Sequence, residues 1–245
     1  MNPRDPLLSV NGLSRDFGGI KAVDSFSFDV REGTITGIIG PNGAGKTTVF
    51  NLITGIYRPS AGTILLREQE IGGYRPDRIV RMGIARTFQN IRLFNRRSCL
   101  ENVLTPLMQR EKFSFLGALA GSPGNRRKDR KLRETALDLL SELGLERHAS
   151  SQAGTLPYGL QRKLEIARAL ATEPSLLLLD EPAAGMNPEE TRSLARLISE
   201  VREKFRITIL LIEHHMDLVM NICSCLLYTS PSPRDRTRSR MPSSA

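Results

Sequence analysis

A glycine-rich segment that begins at residue 40 contains the residue types needed to hold a phosphate group. It fits the pattern G-x-x-x-x-G-K-[ST], and Thr48 follows it directly. The glycines let successive backbone N–H groups turn toward one anion, while the lysine can reach the outer phosphates of a nucleotide. We therefore predict nucleotide binding, with Lys46 and Thr48 on the phosphates and the Thr47 hydroxyl on Mg²⁺. The loop residues are Gly40, Pro41, Asn42, Gly43, Ala44, Gly45, Lys46 and Thr47.

Two adjacent carboxylates, Asp180 and Glu181, follow the apolar run Leu176–Leu179. A continuous apolar run indicates a strand that is buried on both faces, so both acids would emerge at the carboxyl end of the sheet, where ligands bind in such folds. Asp180 would orient Mg²⁺ through water. Glu181 could act as the general base toward the water that attacks the γ-phosphate, so the sequence predicts hydrolysis as well as binding.

The elements around these motifs indicate how they are positioned. Apolar strands over residues 34–39, 175–180 and 206–212 alternate with helices, which favours a mostly parallel sheet covered on both faces. One helix should follow the glycine-rich loop. Another should begin after Asn187, because a capping side chain, a proline and two acids stand in order there.

The remaining stretches predict two further parts of an α/β fold. Short strands with polar alternation over 7–10 and 25–30 suit a half-exposed antiparallel layer. Residues from about 101 to 145 have a mostly helical pattern, interrupted by a turn signal at 121–124. The basic helix predicted over 126–143 is more typical of a solvated face than of a binding site.

Composition indicates a globular protein with an excess of positive charge. The 245 residues include 35 Lys and Arg against 26 Asp and Glu, a formal charge of +9. Three scattered cysteines give no disulfide framework, and no apolar run approaches the roughly 18 residues of a membrane span. We therefore expect a reducing, cytosolic setting. The charge could suit nucleic acid or an anionic membrane surface.

The last 21 residues, from Cys225 onward, change abruptly in composition. The stretches 225–235 and 239–245 match the translation of two common DNA-sequencing adapters, and the residues between them span the length of a sample index. We therefore expect residues 225–245 to be a non-native, disordered tail. The open alternative is a genuine disordered Pro/Ser/Arg tail. Without this segment the body carries a charge of +6.

Five motifs together resemble the nucleotide-binding subunit of an ABC transporter. They occur in that family's order and spacing, and the likeness covers roughly residues 6–224. The resemblance implies an ABC ATPase fold of the P-loop NTPase class, with a mostly parallel sheet core, an antiparallel β layer and a helical subdomain at about 95–172. Residues 1–224 would form one ATPase domain that is incomplete at its C-terminus. The matching parts are Gly40–Thr48, Gln89, Leu156–Leu170, Leu176–Pro182 and His214.

The resemblance also implies roles that the residues alone do not give. Phe17 would stack on adenine, although it could instead be only a core residue. Gln89 would sense Mg²⁺ and touch the membrane subunit, and His214 would contact the γ-phosphate. Glu181, His214 and Lys46 then form the predicted catalytic set, and Asn187 falls in the segment that the family calls the D-loop.

The segment that begins at Leu156 resembles the family signature, which covers the ATP bound by the opposite subunit. Its first five residues are typically Leu-Ser-Gly-Gly-Gln, but here Pro157 replaces the serine and removes both a hydroxyl and a backbone N–H. We therefore expect a weakened contact with the γ-phosphate. The segment comprises Leu156, Pro157, Tyr158, Gly159, Leu160 and Gln161.

Several features resemble the branched-chain amino acid importers in particular. They are the Tyr158-Gly159 pair, the stretches 17–19, 180–188 and 212–216, and an insertion from about 108 to 133. Urea and amide importers are close relatives of this group. One departure is His215, where the subfamily usually carries Asp, so the geometry beside His214 is open.

Such importers imply ATP and Mg²⁺ as ligands and several protein partners. The partners would be a second, different ABC ATPase subunit, transmembrane permease subunits and, indirectly, a periplasmic or extracellular substrate-binding protein. No nucleic acid is expected, and the location would be the cytoplasmic face of the plasma (inner) membrane, with peripheral attachment. Two alternatives stay open: an ABC ATPase that acts on nucleic acid, and a truncated, inactive fragment.

Overall fold

The structure is a computed structural model that describes residues 6–110 and 123–229. The strands are β1 (Pro6–Phe17), β2 (Ile20–Arg31), β3 (Ile35–Ile39), β4 (Ala61–Leu66), β5 (Gln69–Glu70), β6 (Ile84–Arg86), β7 (Leu176–Asp180), β8 (Thr208–Ile212) and β9 (Cys225–Tyr228). The helices are α1 (Lys46–Ile53), α2 (Pro76–Arg81), α3 (Cys99–Arg110), α4 (Pro123–Glu142), α5 (Tyr158–Leu170), α6 (Pro188–Phe205) and α7 (Met216–Ile222). Short 3₁₀ turns lie at Glu146–His148 and Ala153–Thr155.

The predicted parallel sheet is present, with strand order β6-β7-β8-β3-β9. Its central strands are buried on both faces, because alternate side chains enter two different hydrophobic clusters. Leu177 and Leu179 face the helical side, whereas Leu176 and Leu178 face the antiparallel sheet. The continuous apolar run is therefore a strand buried on both faces, as predicted, and Asp180 is the last residue of β7.

The antiparallel layer is also confirmed, as a second sheet with strand order β2-β1-β4-β5. Its strands are longer than the sequence predicted, since β1 and β2 together extend from Pro6 to Arg31 with one tight reversal between them. Apolar side chains of this sheet share a core with Phe50 of α1 and with β7 and β8. The helix after the glycine-rich loop is thus packed between the two sheets.

The helical region lies on the other face of the parallel sheet. Val103 of α3, Leu140 of α4 and Leu164 of α5 are fully buried in one cluster with the sheet. Part of the predicted turn at 121–124 lies outside the described residues, but Pro123 and Gly124 already belong to α4. No helix within the described ranges has the length and apolar character to cross a membrane.

The segment from Cys225 differs from the disorder that we expected. Cys225–Tyr228 forms β9, which pairs in parallel with β3, and the Thr229 N–H donates to the Ile39 carbonyl at 2.9 Å. The physical reason is that β3 offers unpaired backbone groups on this side, and a short apolar segment can satisfy them whatever its origin. The rest of the tail, residues 230–245, lies outside the described residues, and the boundary near Ser224 stays a prediction.

Candidate functional site

The glycine-rich loop joins β3 to α1 and adopts backbone angles that favour glycine. Gly40, Gly43 and Gly45 have φ values of 154°, 82° and 79°. A Cβ on Gly45 would lie 2.2 Å from the Ala22 carbonyl oxygen of β2, so a larger residue cannot fit. Gly45 precedes α1 without a side-chain cap, and the first N–H groups of the helix face the loop, where they can receive an anion.

Lys46 lies inside this loop rather than in solvent. Its side chain is only 6% exposed, and its ammonium donates to the carbonyl oxygens of Gly40 and Pro41, both at 2.8 Å. Burial lowers the pKa of Lys46, while the negative charges of Glu181 and Asp180 oppose that shift. The two carboxylates at the end of β7 therefore lie close enough to the loop to act on its lysine.

Asp180 is a buried carboxylate whose two oxygens have different hydrogen-bond surroundings. One oxygen accepts from the Arg86 guanidinium at 2.7 Å, and both side chains are almost fully buried. The other oxygen, Oδ1, is buried and has no hydrogen-bond partner among the described residues. Sequence reasoning missed Arg86, although a basic residue at the carboxyl end of a neighbouring strand is a natural partner for Asp180.

The metal assignment can be tested against these donors. Carboxylate and hydroxyl oxygens are the ligands that Mg²⁺ prefers. The unpartnered Oδ1 of Asp180 offers a buried acceptor, and Thr47 is exposed in the first turn of α1. The residues therefore fit the divalent cation that accompanies a nucleotide.

Glu181, Gln89 and His214 meet although they are far apart in the chain. The Gln89 amide donates to Glu181 Oε2 at 2.7 Å, and His214 Nδ1 lies 3.8 Å from Glu181 Oε1. Glu181 itself has φ of 45°, a conformation that few non-glycine residues adopt, and its N–H donates to the Ile212 carbonyl at 2.9 Å. The Glu181 carboxylate thus lies between the Gln89 amide and the His214 ring.

A fully buried carboxylate, Glu213, anchors the segments on either side of this cluster. Glu213 Oε2 accepts from the backbone N–H groups of His214 and His215, and Oε1 accepts from the Ala183 N–H at 2.9 Å. The His215 ring adds a contact at 3.0 Å to Oε2. Sequence reasoning missed Glu213, although its position directly before His214 could have drawn attention to it. The contact with Glu213 also fixes the position of the His215 ring.

Phe17 is the last residue of β1, and it pairs with Ile20, the first residue of β2. The ring contacts Tyr57 at a centroid distance of 5.1 Å and lies under the Arg15 guanidinium at 4.6 Å. It keeps 37% of its surface exposed. The partial exposure leaves room for a flat base to contact this ring, so adenine stacking stays a prediction.

The signature-like segment forms the start of α5. Pro157 is the residue before the helix, and its carbonyl accepts from the N–H groups of Leu160 and Gln161, both at 3.0 Å. The Gln161 side chain turns back to the Leu156 carbonyl at 2.8 Å. Tyr158, the first residue of this helix, is 43% exposed.

Comparisons with known proteins show the family of this chain. The ABC transporter family matches residues 23–184. The chain is 50% identical over 217 residues to the high-affinity branched-chain amino acid transport ATP-binding protein LivG of Salmonella typhimurium and of Escherichia coli K12, covering 89% of this chain and 85% of each relative. It is 48% identical over the same shares to BraF of Pseudomonas aeruginosa, which has the same description.

A solved structure gives the same result at the level of the fold. The ADP conformation of MJ1267, an ATP-binding cassette of an ABC transporter, superposes with a TM-score of 0.80 at 33% identity. That match covers 92% of this chain and 87% of the other. With its glycine-rich loop, its paired acids and this similarity along most of its length, the chain belongs to the ABC transporter family, as an ATP-binding subunit.

Proposed function

We propose that this chain hydrolyses ATP to drive the import of branched-chain amino acids. The observation that carries the ATPase part is the cluster of Gln89, Glu181 and His214 at the sheet end that faces Lys46. The substrate part rests on the LivG and BraF relatives, whose descriptions name branched-chain amino acid transport. Import of urea or another small amide is the alternative that the experiment below distinguishes.

Binding of ATP would begin with exchange of partners at Lys46. The ammonium now bonded to two loop carbonyls would turn to the β- and γ-phosphates, where its charge is neutralised. Backbone N–H groups at the start of α1 and the Thr48 hydroxyl would hold the remaining phosphate oxygens. Phe17 would stack on the adenine.

Thr47 and Asp180, with Gln89, would hold the Mg²⁺ that enters with ATP. Its chemistry is to neutralise charge that develops on the β- and γ-phosphates. Asp180 keeps Oδ1 free for this because Arg86 already occupies its other oxygen. The metal site is then partly fixed before any ligand arrives.

Hydrolysis would proceed through Glu181 as the general base. Gln89 fixes one carboxylate oxygen, which leaves the other, on the side of His214, to take the proton of the attacking water. His214, half exposed in the structure, would donate to a γ-phosphate oxygen and stabilise its charge. Glu213 would hold the backbone of His214 at a fixed position relative to the backbone of Ala183, which follows Glu181.

A complete site would need a second ATPase subunit, as in the dimeric cassette MJ0796, which has the same fold. The start of α5, from Leu156 to Gln161, would cover the nucleotide held by that partner. Pro157 cannot offer a hydroxyl or an N–H there, so this chain would contribute the weaker cover. Permease subunits would dock at the cytoplasmic face of the plasma membrane, with the substrate-binding protein on the opposite side, and we assign no role to nucleic acid.

Uptake of labelled amino acid tests the proposal. The gene for this chain is deleted from the organism that carries it. Expression of the unaltered chain should restore leucine uptake, whereas expression of the variant Glu181→Gln should not. The matched control is Glu200→Gln, which alters an exposed acid of α6 and should restore uptake fully. Restored urea or amide uptake without leucine uptake would contradict the substrate, and full uptake with Glu181→Gln would contradict the base.

A further inference from the structure

A fully buried ion pair lies on α5, outside the nucleotide site. Arg162 and Glu165 are 0% and 1% exposed, and their charged atoms are 2.7 Å apart. Taking two charges out of water is costly, and a well-packed apolar pair of similar size is often as stable or more stable. Stability alone therefore does not account for this pair.

The polar groups of the pair converge on one dipeptide. The Arg162 guanidinium donates to the Phe88 carbonyl at 2.7 Å and to the Gln89 carbonyl at 2.9 Å. Glu165 accepts from the Phe88 N–H at 3.2 Å. Two side chains thus fix three backbone groups of Phe88 and Gln89. Gln89 is also the residue whose side-chain amide donates to Glu181.

The same guanidinium also reaches the signature-like segment. Arg162 donates to the Tyr158 hydroxyl at 3.1 Å, one turn earlier on α5. One buried side chain therefore joins the start of α5 to the Gln89 segment. Sequence reasoning could have found the pair only as opposite charges at i and i+3, a spacing that usually marks a solvated helix face.

We propose that Arg162 and Glu165 are positioning residues that hold Gln89 against Glu181. The proposal rests on the proposed function, because its consequence is a correctly placed base. Removing the pair would free the Phe88–Gln89 backbone, and the Gln89 amide would no longer fix one oxygen of Glu181. A displacement of about 1 Å at a reacting group can cost about 100-fold in rate.

The test uses the double variant Arg162→Met/Glu165→Leu in the full chain. Removing one partner alone would leave an unpaired buried charge and unfold the region, whereas the double variant keeps volume and apolar packing. We expect an unchanged or higher denaturation midpoint, an ATP affinity within about twofold and a turnover lower by about 10- to 100-fold. The control Ile166→Val alters a buried residue of the same helix and should keep native turnover.

Two further measurements separate positioning from stability. In a Gln89→Ala background the double variant should cause no additional loss, because both changes remove the same interaction; an additive loss overturns the proposal. Amide exchange of Phe88 and its neighbours, measured without nucleotide, should become at least about tenfold faster in the double variant but not in the control. Unchanged exchange overturns the proposal, whereas an unaltered chain that cannot hydrolyse ATP overturns the proposed function instead.

Discussion

At the scale of single residues, the site depends on groups held in costly arrangements. Glu181 has a left-handed backbone, Lys46 is buried, and Asp180 is nearly inaccessible. Each is compensated locally: Glu181 by Gln89 and a backbone bond to Ile212, Lys46 by two carbonyls, and Asp180 by Arg86. Such arrangements concentrate where groups must be in place before a ligand arrives.

The variant Glu181→Gln tests the base directly. The amide keeps the size of the side chain but cannot take a proton, so ATP affinity should stay within about twofold while turnover falls by at least about 100-fold. Binding is measured with a fluorescent nucleotide and turnover by phosphate release. A variant that retains half of the native turnover would show that another group removes the proton.

At the scale of elements, α6 shows how local chemistry sets a boundary near the site. Asn187 Oδ1 accepts from the N–H groups of Glu189 and Glu190, and Glu190 returns a bond to the Asn187 N–H. This is the full capping box, with Pro188 at the first helical position. The sequence signal and the observed helix start agree to the residue.

Removal of that cap should destabilise the chain without removing a core contact. Asn187→Ala should lower the free energy of unfolding by about 1 kcal/mol, and Asn187→Ser, which can still cap, should stay close to native. Urea denaturation followed by circular dichroism measures both. Equal losses in the two variants would mean that the cap does not stabilise this helix start.

At the scale of the whole molecule, the glycine-rich loop lies against both sheets. Gly45 lies against the Ala22 carbonyl of the antiparallel sheet, and a Cβ on Gly40 would meet the Thr229 carbonyl oxygen, just after β9, at 2.4 Å. We therefore expect ligand binding in this loop to be coupled to the packing of both layers. A ligand that binds only the folded state stabilises all of it.

Thermal unfolding should reveal that coupling. ATP with Mg²⁺ at about 100 times its dissociation constant should add about 2.7 kcal/mol, which for a chain of this size raises Tm by about 5–10 °C. Lys46→Ala should lose most of the shift, and adenosine, which has no phosphates, should give little. An equal shift in Lys46→Ala would place the nucleotide elsewhere.

Local sequence already determined much of this protein. The loop Gly40–Thr47, the acids after the apolar run, the cap at Asn187 and the alternation of strands and helices depend on patterns within a few residues. Periodicity, capping and glycine placement act over such short spans, so they can be interpreted without the fold. The long β1 and β2 were underestimated because polar residues interrupt their apolar pattern.

Only the tertiary structure decided which distant residues meet. The contacts of Arg86 with Asp180, of Gln89 with Glu181 and of Arg162 with the Phe88–Gln89 backbone cross 94, 92 and up to 74 positions of the chain. The strand at Cys225–Tyr228 likewise formed because β3 offered it an edge. Such contacts follow from how sheets and helices pack, which no local pattern encodes. Once buried by this packing, ordinary charged residues such as Arg86 and Arg162 hold the side chains of the site in place.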